Sequence, residues 1–219
     1  YKTNYSIGHP FLLNSKDFIE KQNKEASKDT FKIKYINSIK SWSAPFVMSI
    51  ANTRVVRRSV ELHELNQSGY GSDFTYKEFM NVKKYSSALM ISIGLAILGL
   101  MIVSPISSLF RKLFTKPGYG PDKKTRDNGW FESIFIGKNT NNEYYKLRIY
   151  GDGDPGYKTT AKFICESALC LVKSDGYLEN TNKGGVLTTA TGLGDHLIKR
   201  LKNADILFEG PEKIAKTIT

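Results

Sequence analysis

The chain has 219 residues, 40% hydrophobic and 24% charged, which is ordinary for a globular protein and long enough to bury a core without disulfide staples. Its net charge of +11 is not ordinary, and restricts its macromolecular partners to nucleic acid, anionic lipid or an acidic protein surface. No nucleic-acid-binding motif accompanies the charge, so lipid is favoured and nucleic acid is set aside.

Residues 1–40 are polar and lysine-rich, with Pro10 ahead of Phe11, Leu12 and Leu13 and a loop-like stretch from Lys21 to Thr30. A helix is expected from Ala44 to Leu65. Ser43 would cap it, Pro45 would occupy its first turn, and Phe46, Ile50, Val56 and Val60 recur near helical spacing. Gly69, Gly71 and Asp73 then mark a turn.

The stretch from Tyr85 to Phe110 carries no charged residue, and its helical part has the length of a hydrocarbon layer about 30 Å thick. Lys83 and Lys84 flank it on one side and Arg111, Lys112 and Lys116 on the other, where basic side chains reach phosphate headgroups. It reads as a membrane segment, either crossing the bilayer or lying on it. Pro105 is expected to kink or end the helix.

Residues 111–128 are rich in Pro, Gly and charge and read as a linker. Beyond it, WFESIFIG and YYKLRIY, separated by KNTNNE, predict a β-hairpin with Tyr145, Leu147 and Ile149 on one face. Asp154 and Pro155 open a helix whose apolar stripe would be Tyr157, Ala161, Ile164, Ala168 and Leu171. A second helix near 193–202 has Leu193, Leu197 and Leu201 on one face, and Ala204 to Glu209 would form a last strand. The fold class is therefore α+β. Its four parts are a helical and loop region (1–84), the hydrophobic segment (85–110), the linker (111–128) and a C-terminal α+β part (129–219).

Gly151, Gly153 and Gly156 match the glycine spacing of a dinucleotide cradle, between a strand and a helix. The match is rejected, because Asp152 and Asp154 would set carboxylates beside a pyrophosphate and Pro155 lacks a needed N–H. The expected cofactor complement within this chain is none. No metal is expected either: Gln67 breaks the H-E-x-x-H pattern begun at His63, and Phe163 stands where a calcium loop needs glutamate. Cys165 and Cys170 fall five residues apart, on different faces of one helix, and read as thiols of a reducing compartment.

Four stretches carry a family resemblance: WSAPFVMSIANTRVVRRS (42–59), KPGYGP (116–121), GDPGYKTTAKFICESALCLV (153–172) and GGVLTTATGLGDHLIKRL (184–201). They resemble the second half of the saccharopine-dehydrogenase-like oxidoreductases, the group that includes trans-acting enoyl reductases, over about Pro10 to Phe208. Members of that family begin with a Rossmann NAD(P)-binding domain, and nothing in this chain resembles it. The resemblance thus implies a substrate-side mixed α/β domain, with NAD(P) bound only if a Rossmann domain lies upstream.

It also implies candidate substrate-binding residues. Asn52, Arg54, Arg57 and Arg58 match the N-x-R-V-V-R-R pattern and would bind an anionic or carbonyl group; a structural polar network is the competing reading. Tyr157 matches the G-D-P-G-Y turn, where its hydroxyl would donate to a substrate oxygen or else be buried in a structural bond. Thr189 stands where many members have proline. The function implied is a membrane-associated, NAD(P)-dependent oxidoreductase acting on a lipid-like substrate. The alternative is a non-catalytic, membrane-anchored accessory subunit partnered by other subunits of a complex. Either would sit on an intracellular membrane, mitochondrial or at the lipid-droplet or endoplasmic-reticulum surface, with membrane lipid as partner.

Overall fold

The computed structural model describes residues 8–65, 69–71, 73–104, 118–173 and 185–215. The chain divides into two compact units, the first running to Lys116 and the second starting at Pro117. Both combine helices with a small three-stranded antiparallel sheet, so the architecture is α+β.

In the first unit, α1 (Lys16–Lys21) is capped by Ser15, whose side chain accepts from the Phe18 N–H at 3.3 Å. Strands β1 (Lys34–Ile36), β2 (Ser41–Ala44) and β3 (Met80–Val82) form one sheet in that order. Helix α2 spans Ser49–Leu65 and α3 spans Tyr85–Val103. Phe11, Phe18, Ile19 and Val60 make the core, with Phe74 against it.

Helix α2 starts later than expected. Ser43 and Ala44 are paired in β2 with Asn81 and Met80, and the Ser43 hydroxyl bonds the Lys34 carbonyl at 3.1 Å instead of capping a helix. The strand pairing consumes the backbone groups that a helix start would have needed.

Helix α3 begins at Tyr85 as expected. The Tyr85 ring packs edge-on to Trp42 at 5.0 Å, which in turn meets Tyr35 at 5.2 Å, so the first turn is fastened to the sheet. Beyond that turn the helix is uncharged on every side and much of it is bare, with Met90 74% and Leu100 73% exposed. It ends at Ser104, whose ψ of 144° is extended, as the residue before a proline prefers. Nineteen residues rise about 28 Å. The expectation of a membrane-crossing helix from Tyr85 to Phe110 is not met: among the described residues no helix is long and apolar enough to cross a membrane. Residues 105–110, and the flanking Arg111, Lys112 and Lys116, lie outside the described residues.

The second unit opens with α4 (Lys123–Asn128), capped by Asp122, whose carboxylate accepts from the Thr125 N–H at 2.8 Å. The expected hairpin forms from β4 (Trp130–Lys138) and β5 (Tyr144–Asp152), with Trp130 opposite Asp152. Strand β6 (Ile206–Ile214) pairs on the other edge of β5. The register puts Phe131, Phe135, Leu147, Ile149, Ile206 and Phe208 on one face, and Phe131 meets Phe163 of α5 (Lys158–Lys173) edge-on at 5.7 Å.

Helix α6 (Thr189–Asn203) is capped by Thr188 and interrupted at Gly194, whose φ of 47° and ψ of −134° are not helical. Leu193 and Leu197 turn towards buried Cys170 of α5, as their spacing suggested. The stripe expected on α5 is a correction. Tyr157, Ile164 and Leu171 are exposed, as are Ala161 and Ala168, and the inner face is Thr159, Phe163, Ser167 and Cys170. On that face Phe163 meets the sheet, and the Thr159 and Ser167 hydroxyls are satisfied by backbone carbonyls at 3.0 and 2.7 Å, so polar groups are held there without loss.

Two glycines hold the junction between α4 and the sheet. A methyl on Gly129 would meet the Asp154 backbone at 2.5 Å, whereas one on Gly151 would meet the ends of the Phe131 and Ile206 side chains at 2.5 and 2.8 Å. Backbone cannot yield as side chains can. Gly129→Ala should therefore destabilise the second unit by about 3 kcal/mol and Gly151→Ala by about 1 kcal/mol, as read from urea unfolding. The reverse order would contradict this packing.

Candidate functional site

Helix α2 places Arg54, Arg57, Arg58 and Glu61 at i, i+3, i+4 and i+7, which is one face. That face is buried against the segment from Gly8 to Asp29, whose backbone lacks a sheet ladder to satisfy it. The arginines supply the missing donors. Arg54 grips the Asp29 carboxylate in a two-point fork at 2.7 and 2.6 Å and donates to the Gly8 carbonyl at 2.8 Å. Arg57 donates to the carbonyls of Pro10 at 2.6 Å and Ser27 at 2.7 Å, with its guanidinium 5.3 Å over the Phe11 ring. Burial, reinforced by the nearby charge of Arg54, lowers the Arg57 pKa.

Glu61 is the acidic counterpart. Its carboxylate accepts from the Asn14 side chain at 2.9 Å, the Ser15 N–H at 3.1 Å and Arg58 at 2.8 Å. Burial pushes its pKa up, but the bonds from Ser15, Asn14 and Arg58 outweigh it and the net direction is down.

Asn52, two residues before Arg54, belongs to a separate group. Its amide donates to Glu78 at 2.9 Å, and the Tyr76 hydroxyl donates to the other oxygen of the same carboxylate at 2.8 Å. Burial, with the Glu78 bond added, raises the Tyr76 pKa, so the phenol stays a neutral donor. Asn52, Arg54, Arg57 and Arg58 thus share one helix, with Arg54 and Arg57 engaged by protein partners. Arg58 and Asn52 are only partly buried.

Tyr157 belongs to the second unit. Its ring lies against Gly120, where an added methyl would sit 3.3 Å from the ring, so the KPGYGP and GDPGY stretches meet there. The side chain is 52% exposed, and its hydroxyl makes no hydrogen bond to another described residue. A buried, structurally bonded tyrosine is therefore not what the fold provides.

The glycine-rich turn does not fit a pyrophosphate. Asp154 caps α5 itself, its two oxygens accepting from the Tyr157 N–H at 2.9 Å and the Lys158 N–H at 3.1 Å. An anion arriving there would displace a carboxylate already bound. Strand β5 is moreover the centre of an antiparallel sheet, and Gly153, with φ of 99°, bonds Gly129 across the α4 junction at 2.7 Å. Among the described residues no group of three or more His, Cys, Asp or Glu side chains is placed to hold a metal. Cys165 is exposed, Cys170 is buried, and neither is in a disulfide.

Sequence reasoning missed Asp29, Glu61, Tyr76 and Glu78. Their partners lie up to 47 residues away, except in the Tyr76 and Glu78 pair and the Arg58 and Glu61 pair. One signal was present: charges occupy α2 positions at the spacing normally held by apolar residues.

The fold and these clusters define a mixed α+β protein whose arginine-rich helix is chiefly engaged with its own chain. Comparison with known proteins goes further. The chain is 35% identical over 176 residues to a protein of Mycobacterium tuberculosis (strain ATCC 25618 / H37Rv) named "Putative trans-acting enoyl reductase", an alignment covering 77% of this chain and 41% of that one. It is 31% identical over 175 residues to the trans-acting enoyl reductase of Mycobacterium bovis (strain BCG / Pasteur 1173P2), covering 76% and 40%. The corresponding protein of Mycobacterium ulcerans (strain Agy99) is 30% identical over 174 residues, covering 76% and 40%. The chain thus spans about two fifths of the length of the curated relatives it matches. No family model and no solved structure matches it.

The network makes two checkable demands. Arg57→Met would strand the carbonyls of Pro10 and Ser27, each at a cost of about 1–3 kcal/mol, so the first unit should lose about 3 kcal/mol or more. Arg57→Lys should lose nearly as much, because one ammonium cannot span both carbonyls. Because folding lowers the Glu61 pKa, the group stabilises the fold above its unfolded value of about 4.3, and that contribution disappears as pH falls through the folded value. Hydrogen exchange of residues 8–65 should therefore show protection falling on acidification below about pH 4. Glu61→Gln should be weaker at pH 7 and flatter with pH; an unchanged acid profile would contradict the assignment.

Proposed function

We propose that this chain is the substrate-side portion of an NAD(P)-dependent oxidoreductase that saturates a carbon–carbon double bond in a lipid-like acyl substrate. The cofactor is bound by residues outside the chain, in a Rossmann domain of the saccharopine-dehydrogenase-like kind. The observation that carries this reading is the similarity, over three quarters of the chain, to proteins named trans-acting enoyl reductases.

Reduction of an enoyl group delivers hydride to one alkene carbon and a proton to the other; a bound nicotinamide supplies the hydride. Of this chain's own residues, Tyr157 is assigned to donate a hydrogen bond to the substrate carbonyl, because the residue is half-exposed and its hydroxyl is unengaged among the described residues. The bare, uncharged surface of α3 is proposed to lie against membrane lipid without crossing it, at an intracellular membrane.

A second reading, a non-catalytic accessory subunit, is favoured by one observation: Arg54 and Arg57, the most distinctive candidates, are engaged by structural partners. The two readings separate in the full-length protein. NADPH oxidation should be seen with a long-chain trans-2-enoyl thioester, and Tyr157→Phe should lower turnover by about tenfold or more with melting unchanged. Absence of saturable NADPH binding by the full-length protein would favour the accessory subunit. Flotation with neutral phospholipid vesicles tests α3: wild type should float, and Met90→Asp with Leu100→Asp should not.

A further inference from the structure

Helices α5 and α6 enclose a recess of about 200 Å³ lined by Cys170, Lys173, His196, Lys199 and Arg200. It has no part in the enoyl-reduction reading and does not depend on it. We propose that this recess binds a phosphate group.

The charge count comes first. Lys173, Lys199 and Arg200 bring three fixed positive charges, and the acidic partner bonded to them among the described residues is Glu166, which meets Arg200 at 2.7 Å. An excess of two positive charges remains. A phosphate monoester carries about −1.5 to −2 near neutral pH and so matches that excess.

Placement is the second argument. Lys173 and Arg200 lie in the last turns of their helices, where a cation offsets the helix dipole. That role does not extend to His196 and Lys199, which precede the last turn. His196 stands three and four residues before Lys199 and Arg200, the spacing at which helix side chains are neighbours, so the three line the recess together. Arg200, which lines the recess, has one guanidinium nitrogen on Glu166 and an Nε without a hydrogen-bond partner among the described residues. Buried Cys170 supplies a weakly polar floor, which strengthens charge pairing above it.

Size narrows the ligand. Pockets for drug-sized molecules run from about 300 to 1,000 Å³, so this recess suits a phosphate group rather than a whole cofactor or acyl chain. That phosphate belongs either to a small phosphorylated molecule or to an anionic lipid headgroup, and both present the same oxyanion.

Isothermal titration of the full chain with inorganic phosphate, at pH 7 and constant ionic strength, tests the proposal. Saturable one-site binding is expected, weakened at least about tenfold by Lys173→Gln with Lys199→Gln and unchanged by Lys124→Gln on α4. Circular dichroism melting should match wild type in both, and Lys199→Gln alone provides a milder variant should the double one melt early. Flotation in the Met90→Asp, Leu100→Asp background, with phosphatidylcholine vesicles that contain or lack phosphatidic acid, identifies the source. Phosphatidic-acid-dependent flotation that the double variant abolishes assigns the headgroup; flotation unchanged by the double variant while phosphate binding falls assigns a small phosphorylated ligand. No saturable phosphate binding together with flotation insensitive to the double variant would overturn the site, as would phosphate binding that the double variant leaves intact.

Discussion

The first unit depends on a helix that turns charges inward. Arg54, Arg57 and Glu61 are buried on α2 because the segment they face, from Gly8 to Asp29, carries carbonyls and N–H groups that no strand satisfies. An apolar face could cover that segment but could not bond it. Buried ion pairs are weak sources of net stability, yet removing one partner is costly, so the network specifies one path for the segment more than it strengthens the fold. The rest of the unit hangs from that choice: Phe11, Phe18 and Ile19 meet Val60 because Arg57 and Glu61 hold their stretch in place.

The second unit rests on a different junction. Gly129, Gly153 and Asp154 join α4, the end of β5 and the start of α5 through backbone bonds of 2.7 and 2.9 Å. The same geometry that gives the turn its glycine spacing also fills the α5 N-terminus with Asp154, so a pattern suggestive of a nucleotide cradle serves as a tight strand-to-helix corner. Tyr157 emerges from this corner half-exposed, with its hydroxyl unengaged among the described residues, which is why it carries the proposed contact to substrate.

Long alternating and periodic runs were legible in the sequence. The hairpin of β4 and β5 and the Leu193 and Leu197 face of α6 follow from side-chain period alone. Strands β1, β2 and β3 were not, because three or four residues give no period to read and their pairing joins positions far apart in the chain. The α5 stripe misled for a related reason. Apolar spacing indicates a face, but which face turns inward is set by what packs on it, and here Thr159, Ser167 and Cys170 fit where Ile164 and Leu171 do not. At the candidate site the arginines were visible and their distant partners were not, since Asp29 reaches Arg54, and Asn14 reaches Glu61, only through the fold. Length and hydropathy located α3; its end followed from Pro105, and its exposure required the packing of Tyr85 on Trp42.

The central claim is that this chain contacts the acyl substrate of a larger reductase, and covalent mapping of that contact is its most direct test. A trans-2-enoyl thioester bearing a diazirine on its acyl chain would be photolysed with the full-length protein and the adducts located by mass spectrometry. The account predicts adducts between residues 118 and 173, centred on Tyr157 and reduced by competing unlabelled thioester. Competable adducts found only outside residues 8–215 would contradict it.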